Sequence, residues 1–120
     1  YREGEEFSNS TETDFWINIL DLFCNKHKIK YKEILRIAFN LTFNNGSKKS
    51  GVHVDHEFDH KQLIVYLNDC DKKSYTVIKD NKKEIKIKPE KFKGVCFDSK
   101  PHYQVYPKDN VRFVLIITFR

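Results

Sequence analysis

The sequence predicts a mainly β protein, an antiparallel sandwich or jelly roll preceded by one supporting helix. Three observations lead there. Beyond Lys32 the hydrophobic period shifts from the helical spacing to two. Eight short strand-like runs follow, at 34–43, 51–55, 62–68, 75–79, 84–88, 94–98, 103–106 and 111–119. Breaks rich in turn formers separate them, among them Asn44-Asn-Gly-Ser47, Asn68-Asp69, Asp80-Asn81, Pro89 and Lys108-Asp-Asn110.

The helix is expected from Thr11-x-x-Asp14, which reads as its cap, to about Cys24. Phe15, Ile19, Leu22 and Phe23 fall at i, i+4, i+7 and i+8 and would form one apolar stripe. Residues 1–10 are polar and read as a flexible tail on a single domain spanning 1–120. Residues 26–32 form a basic connector. The stretch 44–50 is the most loop-like and, with Phe58, is a candidate lid.

Composition narrows the class. Apolar residues make up 39% of the chain, with 10 Phe and 6 Tyr, enough for an aromatic core without disulfides. Cys24, Cys70 and Cys96 are odd in number and form no CxxC pair, which argues against a disulfide framework or a structural zinc site. A reducing, cytoplasmic setting is the expectation. The net charge of +5 comes from 22 basic and 17 acidic residues without a long like-charge run, so most of it reads as solvated surface. A nucleic-acid or acidic partner is the secondary reading. The longest apolar run, 111–119, is about half a membrane span, and no membrane partner is expected.

Chemistry concentrates at His53, Asp55 and His102. On a strand, His53-x-Asp55 puts both side chains on one face. Two imidazoles and one carboxylate can hold one face of an octahedral ion and leave the opposite positions open, which suits non-haem Fe(II). The H-x-D spacing is weak alone. His56 and His60 could pair on zinc from a helix, but Gly51, Val52 and Val54 argue against a helix, so both read as exposed loop residues.

Arg112 is the second clue. Alternation puts it with Val114, Ile116 and Thr118 on one face of 111–119, and Phe113, Leu115, Ile117 and Phe119 on the other. With both faces largely apolar the strand should be central, and a cation facing inward needs an anion. Its planar fork matches a carboxylate. The competing reading places Arg112 at the exposed start of the strand, paired with Asp109 or a neighbouring Glu. Trp16, Phe39, Phe97 and Phe113 read as core; Lys48 and Lys49 read as solvated; Tyr103 or Tyr106 would face the mouth of the site.

These residues, together with Leu63-Ile-Val-Tyr-Leu-Asn-Asp69, Ile87-Lys-Pro89, Val95-Cys-Phe-Asp-Ser99 and Pro101-His102, resemble the 2-oxoglutarate and Fe(II)-dependent oxygenases. The similarity is to the prolyl 4-hydroxylase-like branch with small viral and bacterial members, over roughly 35–119. It implies a double-stranded β-helix, a cupin-like jelly roll whose open end holds the iron. It implies His53, Asp55 and His102 as iron ligands and Arg112 as partner of the distal carboxylate of 2-oxoglutarate. Tyr66 would share that carboxylate, and Asn40, with Thr42 second, would add a contact from the first strand. The implied cofactors are Fe(II) and 2-oxoglutarate, with ascorbate as a further candidate.

The implied reaction couples oxidative decarboxylation of 2-oxoglutarate to hydroxylation, first of all of a prolyl residue in a protein or peptide. Alternatives are an oxygenase acting on nucleic acid or a free small molecule, and a non-catalytic metal-binding jelly roll. For a viral member the setting would be the host cytoplasm. The chain departs from the family at Lys73-Ser-Tyr-Thr76, where many members carry Gly-Gly before the threonine. Its loop after the metal residues is short, and it has little of the family's N-terminal helical support.

Overall fold

Apolar residues at two periods give one helix and seven strands in the computed structural model, which describes residues 12–44 and 46–120. The expected tail at 1–10 and the cap at Thr11 lie outside the described residues. The elements are α1 (Glu12–His27), β1 (Ile34–Thr42), β2 (Lys61–Tyr66), β3 (Thr76–Asp80), β4 (Lys83–Ile87), β5 (Gly94–Asp98), β6 (His102–Gln104) and β7 (Arg112–Phe119). A four-stranded sheet has the order β1-β7-β2-β5, and a three-stranded sheet has the order β4-β3-β6. Every named pairing is antiparallel. Strands that alternate between two facing sheets make the expected jelly roll of the double-stranded β-helix type. Among the described residues no helix is long and apolar enough to cross a membrane.

Helix α1 covers the outer face of the larger sheet. Leu20 and Cys24 are buried, and Trp16 and Phe23 pack beside them against Leu63, Leu115, Ile117 and Phe119. Each fully buried aliphatic side chain of this kind contributes about 1.5–3 kcal/mol. The stripe is therefore Trp16, Leu20, Phe23 and Cys24, one residue round from the expected one: Phe15 is 56% and Leu22 68% exposed. Apolar residues surround this helix, so two stripes satisfied the period and the docking surface selected between them. At its end Lys28 takes φ 56°, and the Ile29 N–H bonds the Cys24 carbonyl at 2.8 Å, closing a Schellman turn. Gly94 permits the close approach, since a Cβ there would meet the Phe23 ring at 3.0 Å.

On the inner face of the larger sheet the register makes ordered rows. Arg36, Thr118, Gln62 and Phe97 are cross-strand neighbours, followed by Ala38, Ile116, Ile64 and Val95, then Asn40, Val114 and Tyr66, then Thr42 and Arg112. The expected central position of the 111–119 strand holds, with β1 and β2 on either side.

Three expectations are corrected. Residues 51–55 are not a strand; they touch β6 only through a His53–His102 bridge, while Lys49 bridges Val105. The two bridges differ in register by one residue, a bulge-like slip that prevents a continuous ladder. Phe39 and Phe113 are not core, being 43% and 36% exposed on the outer face, where Phe39 meets only the edge of the helix through Trp16 at 5.1 Å between ring centroids. Finally, His60 is buried and His56 half-buried rather than exposed: Ser99 Oγ bonds the His60 backbone, and the His56 imidazole meets Thr118 Oγ1 at 2.9 Å.

Candidate metal and dicarboxylate site

The slipped segment and β6 bring two imidazoles together. His53 and His102 exchange both backbone N–H···O=C bonds at 3.0 Å, so their side chains leave from one face with ring centroids 4.4 Å apart. His53 Nδ1 lies 3.1 Å from the Gly51 carbonyl, and His102 Nδ1 lies 2.9 Å from that of Lys100. A carbonyl can only accept, so each Nδ1 donates to its carbonyl and each Nε2 is the ring atom turned toward the cluster. Both Nε2 atoms face one oxygen, Asp55 Oδ1, at 3.3 and 3.4 Å. The other oxygen, Oδ2, accepts from Arg36 Nη2 at 3.1 Å.

This geometry fits a divalent ion. Bonds of about 2.1 Å at right angles put neighbouring donors about 3 Å apart, close to the separations found here. All three donor atoms lie within 4.8 Å of one another. Arg36 occupies one carboxylate oxygen and leaves one for the metal, so Asp55 is set to bind through a single atom. Burial pushes the Asp55 carboxyl up, but the hydrogen bond and charge of His102, then Arg36 and His53, outweigh it and hold it below its ordinary value. The carboxylate is thus ionised at neutral pH. A two-imidazole, one-carboxylate face suits Fe(II) with open positions opposite.

Arg112 lies further along the same groove. It is 4% exposed, and among the described residues no carboxylate pairs with it. Its Nη1 donates to Gln104 Oε1 at 3.0 Å and its Nη2 to Thr76 Oγ1 at 2.6 Å, while Nε is buried without a partner. Tyr66 Oη shares a 2.7 Å bond with the same Thr76 hydroxyl, and its ring lies 5.5 Å from the guanidinium. Burial acts on both groups, lowering the Arg112 pKa and raising that of Tyr66. The surface reading of Arg112, with Asp109 as partner, is overturned. A buried guanidinium held, among the described residues, only by neutral groups is suited to receive an anion.

One cavity joins the two ends, lined by both imidazoles, Asp55 and Arg112 among others. Its space of about 90 Å³ is several times what one water requires, room for a small organic acid. His102 and Gln104 lie on one face of β6, and two residues of strand span about 6.6 Å. A five-carbon diacid, about 5 Å between its end carbons, is of a length to fit that interval.

The structure brings His53, Asp55, His102 and Arg112 to one cavity and puts Tyr66 beside Arg112. Asn40 also lines the cavity. Thr42 touches it only indirectly, donating to Gln104 Oε1 at 3.1 Å. Of the two candidate tyrosines, Tyr103 is the one on the lining. Sequence reasoning missed Arg36, Gln62, Thr76 and Gln104 as cavity residues. The available signal was Arg36 and Gln62 standing at inward positions of otherwise apolar strands.

No protein-family model matches the sequence, and the comparison with curated proteins found no match. Solved structures do match in fold. A 2OG-Fe(II) oxygenase family oxidoreductase from Burkholderia pseudomallei superposes with a TM-score of 0.78 at 15% identity, covering 98% of this chain and 61% of that one. A Pseudomonas putida prolyl-4-hydroxylase superposes with a TM-score of 0.68 at 18% identity, covering 97% of this chain and 68% of that one. The chain thus spans under two thirds of the length of the Burkholderia protein. It has the fold of the 2OG-Fe(II) oxygenases.

Proposed function

We propose that this chain, as one domain, is an Fe(II)- and 2-oxoglutarate-dependent dioxygenase that hydroxylates a protein or peptide, with a prolyl residue the first candidate target. The observation that carries the reading is Arg112: a buried guanidinium with no carboxylate partner among the described residues, in the cavity of a two-histidine, one-aspartate cluster. A metal-holding jelly roll without turnover has no use for such a cation. The fold shared with a prolyl-4-hydroxylase supports the peptide class.

Bound together, iron and 2-oxoglutarate supply the oxidising chemistry, in which the 2-oxo acid is decarboxylated and one oxygen atom of O2 is delivered to a substrate C–H. The protein holds and orients. His53, Asp55 and His102 would hold the metal, and the Nδ1 hydrogen bonds fix the orientation of both rings. Arg112 takes the distal carboxylate of the cosubstrate, with Tyr66 and Thr76 fixing the direction of its fork. Ile64, Val114 and Ile116 line the passage between the ends and keep it poor in water. No side chain needs to act as a nucleophile.

The test is an anaerobic titration with Fe(II) and 2-oxoglutarate, followed by a screen for stimulated succinate release with ascorbate present. A weak visible charge-transfer band is expected, lost in His102→Ala. Peptides should stimulate succinate release above nucleosides and free amino acids. Absence of the band at saturating metal and cosubstrate would contradict the oxygenase reading, and preferential stimulation by nucleosides would move the substrate to another class.

A further inference from the structure

Gln62 carries information that the metal and the dicarboxylate do not use. It is 1% exposed, it lines the cavity, and its Oε1 is buried with no hydrogen-bond partner among the described residues. Native interiors seldom leave an amide oxygen unpaired, and such a group calls for a ligand or water as its partner. Two strands away in the same cross-strand row, Arg36 also lines the cavity, and its Nε is likewise buried without a partner. Arg36 already spends its Nη2 on Asp55, the metal-binding carboxylate. The row thus offers one free acceptor and one free donor beside the proposed metal position.

Between them Thr118 is buried under the His56 imidazole that meets its hydroxyl, so the cavity reaches both groups past Ile64 and Ile116 of the next row. The backbones of β1 and β2 are about 10 Å apart across β7. A ligand that satisfies both groups must therefore accept on one side and donate on the other. A trans peptide group does this, since its C=O and N–H point in opposite directions. A carboxylate has nothing to give Gln62 Oε1. A nucleobase presents donor and acceptor side by side on one edge, which suits a single bidentate side chain rather than two flanking ones.

We propose that Arg36 and Gln62 receive a peptide amide of the substrate next to the metal, its carbonyl on Arg36 Nε–H and its N–H on Gln62 Oε1. The assignment rests on the oxygenase reading and adds to it the group recognised. Gln62 is then a specificity-determining residue, and the oxidised carbon belongs to the residue adjoining that amide.

The test uses protein loaded with Zn(II) and 2-oxoglutarate, which binds without turning over. Two probes are compared by calorimetry and by NMR of the Gln62 side-chain amide: N-acetylproline N-methylamide and N-acetylproline methyl ester, which lacks the N–H. The amide should bind about tenfold more tightly than the ester, the ratio expected for one hydrogen bond to a buried group, and should shift the Gln62 signal. Gln62→Leu, which removes a buried unpaired oxygen and should fold at least as well, should bind both probes equally while keeping its affinity for Zn(II) and 2-oxoglutarate. Equal binding of the two probes to the unaltered protein, binding of neither, or tighter binding of 1-methylcytosine would each overturn the proposal. Failure of 2-oxoglutarate itself to bind would instead strike at the oxygenase reading beneath it.

Discussion

Replacing Arg112 with Met separates the roles of that side chain, because stability and ligand affinity should move in opposite directions. In the ligand-free protein the guanidinium is buried and, among the described residues, has no carboxylate partner and leaves its Nε unsatisfied. Its two acceptors would not be stranded by its loss. Gln104 Oε1 still receives Thr42 Oγ1 at 3.1 Å, and Thr76 Oγ1 still meets Tyr66 Oη at 2.7 Å. Substituting an apolar side chain of similar length should thus stabilise the ligand-free fold by about 1–3 kcal/mol. At about 3–5 °C per kcal/mol, the thermal midpoint should rise by roughly 3–15 °C. The same change removes the charged fork that receives the distal carboxylate, a loss of about 2–4 kcal/mol. The Kd for 2-oxoglutarate should rise by about 30- to 1,000-fold, with metal affinity nearly unchanged. Thermal melts of the metal-free protein and calorimetry of 2-oxoglutarate into the Mn(II)-loaded protein measure the two quantities. A lower midpoint with unaltered cosubstrate affinity would show that Arg112 is a structural residue and refute the reasoning.

Arg36→Gln should lower divalent-metal affinity about 10- to 100-fold, because Asp55 loses the partner that fixes its second oxygen; Co(II) titration by visible absorption reads this, and unchanged affinity would show that Arg36 does not orient the ligand. Cys96 is pushed up to about 11, chiefly by burial and then by the nearby Cys24. An unfolded thiol ionises near pH 8.5, so above that pH the unfolded state binds fewer protons than the folded one and stability falls. The contribution is complete below about pH 8.5 and declines toward pH 11. Urea midpoints between pH 7 and 10 should show the fall, with a shallower slope in Cys96→Ala; an identical slope would contradict it.

Much of the fold was legible because successive strand residues face opposite ways, so position alone assigns a side chain to a face. Arg112, Val114, Ile116 and Thr118 were placed on one side by alternation alone, and the observed rows agree. The helix stripe was misplaced by one residue because apolar side chains surround α1, and the outcome depends on the sheet it meets. Residues 51–55 looked like a strand because Val52 and Val54 alternate with His53 and Asp55. The register slip near Gly51 belongs to tertiary pairing, which local pattern does not encode. Arg36 and Gln62 escaped notice for the same reason: their significance lies in sharing a row with Thr118, a fact about register. His60 was misread because polarity suggested a loop, and the Ser99 hydroxyl that allows its burial lies 39 residues away.

The most direct measurement is a crystal structure of the protein grown without oxygen in the presence of Mn(II) and 2-oxoglutarate. The ion should lie about 2.0–2.3 Å from the Nε2 atoms of His53 and His102 and from Asp55 Oδ1, with the far carboxylate of the diacid on the Arg112 guanidinium. Mn(II) bound away from these three side chains, or a diacid oriented away from Arg112, would contradict the account.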